Sequence, residues 1–365
     1  MTSSRSRGSS IATAAGVIAI SLMLAFPAAA TSDPAPDVVA SGLLNPRGIF
    51  VGDDGPILVA EAGKGGDGPC QPGPEGGPVC VGLTGRLTRI AGGALDRLVR
   101  LPSHAGEDGS AALGPHDVAP AGENGGGIIA TVGLGGDPGF RDGFGSNGRL
   151  FGTLVRVSHS GDVRVIADLA AYEAAVNPAG DIVDSNPFGL LRREERTIVT
   201  DAGGNSLLGV TDGGRVRTIA VFPSRLVPFG GDMIPMHAVP TSVVRGPDGA
   251  FYVGQLTGFP FPVGGARVYR VERGGEPEVF ARGFTNIIDI AFHRGKLYVL
   301  EIAHNGLLSP EPFGALVRVN ADGSKTVLFD DLFFPGGFAF TGRDTVLVTN
   351  CGVCPGGGEV LKLRV

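Results

Sequence analysis

Hydrophobic positions in this chain come in short alternating runs, each ended by a glycine-rich turn, the period of half-buried β-strands. Six segments share one order: an apolar strand, a tight turn, and a second strand closing in apolar-apolar-x-polar. The closings are Leu58-Val59-Ala60-Glu61, Ile128-Ile129-Ala130-Thr131, Ile198-Val199-Thr200-Asp201, Tyr252-Val253-Gly254-Gln255, Tyr298-Val299-Leu300-Glu301 and Leu347-Val348-Thr349-Asn350. The first strands open near Arg47, His116, Phe188, Thr241, Ile288 and Gly337, at spacings of 69, 72, 53, 47 and 49 residues. A third strand follows each second one (Leu87–Ile90, Leu154–Ser158, Leu207–Thr211, Val268–Glu272, Leu316–Asn320), and five units add a fourth. Four strands per unit at this period predict an all-β fold, a six-bladed β-propeller of antiparallel strands.

The two ends complete the ring. The sixth unit stops at its third strand, Val360–Val365, whereas Val38-Val39-Ala40-Ser41 precedes unit one without a partner. An N-terminal outer strand in the last blade would remove the exposed edge. Turns between strands one and two, such as Gly246-Pro247-Asp248-Gly249, are short, as are those between three and four, such as Asp322-Gly323. Every long insertion therefore falls on the opposite face, from 62–84 through 102–115, 132–153, 169–187 and 223–240 to 302–314. Loops of such length commonly carry function.

Composition narrows the field. With 62 Gly and 27 Pro in 365 residues, long helices are excluded. A hydrophobic share of 42% is enough to bury a core. The net charge of −6, without a Lys/Arg run after the N-terminus, argues against a nucleic-acid partner.

The N-terminus reads as an address: Arg5 and Arg7, an apolar run from Ile11 to Phe26, then Pro27-Ala28-Ala29-Ala30. The expected organisation is a signal peptide over 1–30 and a propeller domain over 31–365. The mature chain is expected to be secreted, without a membrane span, and monomeric; an uncleaved anchor is the alternative. Export makes the cysteines legible: Cys70/Cys80 and Cys351/Cys354 are expected to form two loop disulfides.

The loop-bearing face collects the chemistry. His116, His237 and His304 lie there, with His104, and so do the strand-end polar residues Glu61, Asp201, Gln255, Glu301 and Asn350. These are the candidate ligand-binding residues, with Thr131 at the same repeat position. The expected arrangement is a cup around the central channel for a small molecule or an extracellular protein, in which a divalent metal such as calcium would find carboxylate and imidazole ligands. The competing role is structural: polar groups that recur at one position in every blade ordinarily hydrogen-bond loop backbone. His159 and His293 fall in turns of the plain face and are expected to be solvated. Phe259 and Phe261, in a loop of the decorated face, would cap an apolar ligand or form a protein-binding patch.

Asn45-Pro46-Arg47-Gly48, Asn186-Pro187-Phe188-Gly189-Leu190, Val199 to Asn205 and Thr349-Asn350-Cys351-Gly352 resemble the ScyD/ScyE family. The Cys-bearing insert Gly68–Cys80 and the closing Gly358-Glu359-Val360-Leu361 share the likeness, which spans about residues 37–365. The resemblance implies an exported propeller, related in blade pattern to NHL-repeat proteins, without fixing a reaction. Six-bladed lactonases of the gluconolactonase and paraoxonase type supply an enzyme alternative, a metal-dependent lactonase or esterase. Their metal-binding Glu at the start of blade one is replaced here by Arg47-Gly48, although Asn186 and Asn286 fall where inner Asn ligands would. A quinone-dependent dehydrogenase is a third reading, by fold analogy.

Overall fold

Alternation of buried and exposed side chains, with a glycine or Asx turn at each reversal, builds a ring of antiparallel sheets. The computed structural model describes residues 36–365 except 53–55, 75, 123–125 and 312, so the expected leader over 1–30 lies outside the described residues. Blade 1 pairs Pro46–Val51, Ile57–Glu61, Pro78–Ala91 and Ala94–Ala105 in that order. Blade 2 pairs Pro115–Pro120, Ile128–Val132, Thr153–Val157 and Val163–Asp168, and blade 3 pairs Pro187–Arg193, Arg196–Asp201, Ser206–Thr211 and Val216–Val221. Blade 4 pairs Pro240–Arg245, Phe251–Gln255, Ala266–Val271 and Glu278–Phe284, and blade 5 pairs Ile287–His293, Lys296–Glu301, Phe313–Val319 and Lys325–Phe333. The first strands pack against one another around the ring, blade 6 against blade 1 included.

Blade 6 closes as the sequence predicts. Gly337–Phe340, Thr345–Asn350 and Pro355–Arg364 are completed by the N-terminal strand Asp37–Leu44, from Asp37 opposite Lys362 to Leu44 opposite Pro355. Leu43 of that strand is fully buried with Ile49, Val59 and Val360. The core lies between blades, and the middle of every second strand is inaccessible: Val59, Ala130, Val199, Val253, Val299 and Val348. Each such Val contributes about 1.5–3 kcal/mol by leaving water.

Both cysteine pairs are disulfide-bonded. Cys70–Cys80 ties a short added strand, Cys70–Pro72, to the third strand of blade 1, and Cys351–Cys354 staples the turn after the second strand of blade 6. Two disulfides point to an oxidising, extracytoplasmic environment. Among the described residues no helix is long and apolar enough to cross a membrane.

The long inserts hold more structure than their composition suggests. A 3-10 segment runs over Pro138–Leu150, and a helix over Leu169–Val176 is capped by Asp168, which accepts from Ala171 N at 2.9 Å. A two-stranded ribbon, Arg225–Phe229 with Asp232–Met236, stands between blades 3 and 4. Register in blade 2 differs by one residue from the repeat read in the sequence. Val132 pairs Pro115 as Glu61 pairs Pro46, so Thr131 is not the equivalent of the strand-end polar residues. A polar Thr followed by an apolar Val disguised the position.

Candidate functional site

Four of the strand-end polar residues, Glu61, Asp201, Glu301 and Asn350, turn back onto the segment that enters their own blade. Glu61 Oε2 accepts from Leu44 N at 2.6 Å while Oε1 accepts from the Thr88 hydroxyl. Asp201 accepts from Asn186 N at 2.7 Å, Gly204 N at 3.0 Å and Ser185 Oγ at 2.8 Å. Glu301 Oε1 accepts from Thr285 N at 2.6 Å, and Asn350 Oδ1 from Phe333 N at 2.9 Å. In blades 1, 5 and 6 the capped N–H precedes a residue with positive φ, Asn45, Asn286 or Phe334, where the chain swings toward the inner strand. The clamp is a structural device repeated in four blades. Gln255, at the same position in blade 4, is buried with neither amide atom bonded.

The histidines fall into different settings. His104 is enclosed by Phe140, Phe144 and Phe151, with Nε2 2.9 Å from Leu134 O, and burial pushes its pKa down. His304 Nδ1 pairs with Glu301 Oε2, and that hydrogen bond pushes its pKa up. His237 lies 3.3 Å from Asp181 Oδ2 and 3.3 Å from the Asn205 amide. His159 is exposed, but His293 stacks on Phe340 at 4.0 Å and meets Arg343 O at 2.8 Å, so it is not the solvated turn residue its position suggests. A ring already partnered by an aromatic face and a carbonyl has little need of water. Phe259 is half exposed and packs edge-on against Phe229 of the ribbon at 4.7 Å.

Two layers of inner-strand residues define the channel. The waist is Gly48, Asp117, Gly189, Ser242 and Asp289, the second residue of the bulged entry in blades 1 to 5, with Gly337 opening the inner strand of blade 6. Here the innermost sheet edges present N–H groups with no next strand. Asp117 takes Val118 N and, in the next blade, Leu190 N, both at 2.8 Å. Asp289 takes Ile290 N at 2.8 Å and Phe338 N at 3.0 Å, together with Ser242 Oγ at 2.6 Å. Burial raises Asp117 to about 7, with the Asp289 charge adding to it, and burial raises Asp289 to about 6.

Above the waist, on the loop-bearing side, Arg47 and His116 stand at equivalent positions of blades 1 and 2. Arg47 is 8% exposed and His116 1% exposed. The guanidinium donates from Nη2 to Ala112 O at 3.1 Å, lies near Gly352, and leaves Nε without a partner. Among the described residues it forms no ion pair, and burial pulls its pKa down to about 10. His116 Nδ1 is 3.2 Å from Pro187 O, which can only accept, so Nδ1 carries the proton and Nε2 is a bare acceptor. Nε2 is buried and unpartnered, and burial followed by the Arg47 charge lowers the imidazole to about 3, keeping it neutral. The side chain of Phe188 packs on the ring at 4.4 Å. Gly133 roofs this mouth: a Cβ there would collide with the imidazole and lie 2.5 Å from the unpartnered Asn186 Oδ1.

Of the sequence candidates, His116 is the one the structure sets beside Arg47 and Phe188. Its neighbour Arg47 escaped as a candidate; a lone Arg opening an inner strand, where other blades have Thr241 or Ile288, was the available signal. A cleft of about 500 Å³ opens between Lys64, Asp67, Glu107, Asp108 and Pro355. A larger hollow of about 650 Å³ lies at Pro56, Arg89 and Asp96, away from every candidate residue, and is an open groove between strand edges. Among the described residues no three His, Cys, Asp or Glu side chains are gathered at ligating distance.

No protein-family model matches the sequence, and no curated protein matches it. Solved structures match by fold. A putative oxidoreductase (glucose dehydrogenase) from Thermus thermophilus superposes with a TM-score of 0.53 at 17% identity, over 89% of this chain and 98% of that one. A PQQ-bound aldose sugar dehydrogenase from Streptomyces coelicolor gives 0.53 at 13%, over 90% and 96%. A protein of unknown function from Bacteroides thetaiotaomicron gives 0.52 at 11%, over 89% and 70%. Identities this low carry the propeller fold and no activity.

Proposed function

We propose that this propeller is a secreted binding protein of the ScyD/ScyE kind that holds a small anionic molecule at the channel mouth on its loop-bearing face. One observation carries the reading: Arg47, a buried guanidinium without a counter-ion among the described residues, stands beside a neutral His116 whose Nε2 is an open acceptor. A buried charge is costly unless paired, and a carboxylate or phosphate is the natural partner of a guanidinium fork. A hydroxyl or amine on the same molecule would donate to His116 Nε2. Ala112, Gly133 and Gly352 lie against these two side chains as a thin roof.

The metal-dependent lactonase reading gains no support from this site, because a cation occupies the place where that class sets its metal-binding Glu. The test is thermal-shift and calorimetric screening of small carboxylates, hydroxy acids and phosphates against the wild type and Arg47→Gln. Saturable binding that Arg47→Gln abolishes is expected. Binding indifferent to Arg47, or lactone hydrolysis that chelator removes, would replace this reading with another.

A further inference from the structure

Between the helix Leu169–Val176 and the second strand of blade 3, carboxylates gather with His237 as their one ion-pair partner among the described residues. We propose that Glu173, Asp181 and Asp184, backed by Asp201, form a calcium site that fastens the blade 3 insert to the ring. Glu173 is 1% exposed, and neither of its oxygens has a hydrogen-bond partner. Asp181 Oδ1 and Asp184 Oδ1 are likewise buried and unpartnered. Among the described residues the one ion pair any of the four makes is Asp181 with His237.

The backbone leaves room where these groups meet. A Cβ on Gly204 would lie 2.7 Å from Glu173 Oε2 and 3.3 Å from Asp201 Cγ, and a Cβ on Gly203 would lie 2.5 Å from Asp184 Oδ1. Gly203-Gly204 is thus a side-chain-free cradle with acidic oxygens on both sides.

The donor set is all oxygen, which selects a hard cation. Irregular spacing on a helix, a loop and a turn suits the flexible coordination of calcium better than the strict octahedron of magnesium. Asp201 already accepts three hydrogen bonds, so it contributes charge while Glu173, Asp181 and Asp184 supply ligand atoms. Because the side chains are not drawn to one point, binding includes rotation of the free carboxylates toward the cradle. Asp181 and Asp184 are half-buried, which leaves an entry path.

The experiment uses the whole protein after chelator treatment. Calcium is titrated at pH 7.5 with Tm as readout, and terbium luminescence is excited through tyrosine, since Tyr172 adjoins Glu173 and the chain has no Trp. Expected are a calcium-dependent rise in Tm of several degrees, a much weaker effect of magnesium, and at least a tenfold loss of calcium affinity in Glu173→Gln. Should Glu173→Gln not fold, Asp184→Asn takes its place with the same expectation. A Tm indifferent to calcium, with Glu173→Gln more stable than the wild type, would overturn the proposal and show that a proton, not a metal, relieves the cluster. Calcium binding equally strong in both variants would overturn it too.

Discussion

Replacing Arg47 by Met should make the ligand-free protein more stable. Burial holds this guanidinium at about 10, some two and a half units below its ordinary value. At 1.36 kcal/mol per pH unit, keeping the charge inside costs about 3 kcal/mol. Methionine keeps the apolar stem and removes the charge. It forfeits the Nη2 bond to Ala112 O at 3.1 Å, and a charged donor of this kind is worth about 1.5–3 kcal/mol. The net gain is about 1 kcal/mol, and for a domain of this size that raises Tm by about 1–3 °C. The folded pKa lies below the unfolded one, so the folded state binds the proton less well. The penalty is therefore present in full below pH 10 and fades only as pH climbs above it toward the unfolded chain's value. Across pH 5–9 the gain should be flat.

Calorimetry of both proteins in a non-coordinating buffer, backed by urea titration, measures this. A fall of 2 °C or more in Tm would refute the reasoning, since it would mean that the guanidinium already has a stabilising partner. Adding a bound small anion should reverse the order: the wild type gains stability and Arg47→Met does not. A residue that weakens the free protein and strengthens the complex is kept for binding.

Other consequences follow from the waist, the closure and the clamps. Asp117 is raised to about 7 and Asp289 to about 6, above ordinary carboxylates, so the folded state holds protons that the unfolded chain has released. Stability should then fall as pH rises from about 4 to about 7, and Asp117→Asn should flatten Tm against pH over that window; an unchanged slope counts against the assignment. Leu43→Ala, at a fully buried position of the closing strand, should cost about 2–5 kcal/mol, read as a lower urea midpoint; a change below 1 kcal/mol would mean the ring does not depend on that strand. Glu61→Ala strands the Leu44 N–H and should cost about 2–3 kcal/mol while leaving small-anion affinity unaltered. Loss of affinity at full stability would return Glu61 to the binding site.

Much of the fold was legible because one blade is a local object. Alternation gives the strands, glycine and Asx turns give the reversals, and the unpaired Val38–Ser41 has one vacant edge to fill. Register was less secure: Thr131-Val132 presents its polar residue one place early, and only the pairing of Val132 with Pro115 resolves it. The helix Leu169–Val176 was marked by Asp168 before it and Asn177, with φ of 39°, after it; set inside a long insert, those caps read as loop residues. Arg47 and Glu173 were missed for a shared reason. Burial, and the absence of a partner, are properties of what surrounds a side chain, and for both residues the surroundings come from distant segments: Ala112 and Gly352 for one, Asp184 and Gly204 for the other.

A repeat fold also says where function should be sought. Six equivalent positions impose six equivalent demands, and where the same chemistry answers in several blades the demand is the fold's own. Glu61, Asp201, Glu301 and Asn350 answer one such demand, capping a backbone N–H at the entry to the inner strand. Asp117 and Asp289 answer another, three blades apart, by closing bare strand edges at the waist. One layer higher the blades stop agreeing. Thr241 bonds Ile287 O at 2.8 Å and needs nothing more, whereas Arg47 and His116 carry polar atoms that no part of the ring satisfies. Departures from the repeat that also cost stability have no structural reason to persist, so these two residues, and not the conspicuous ring of strand-end carboxylates, are where a ligand should be looked for.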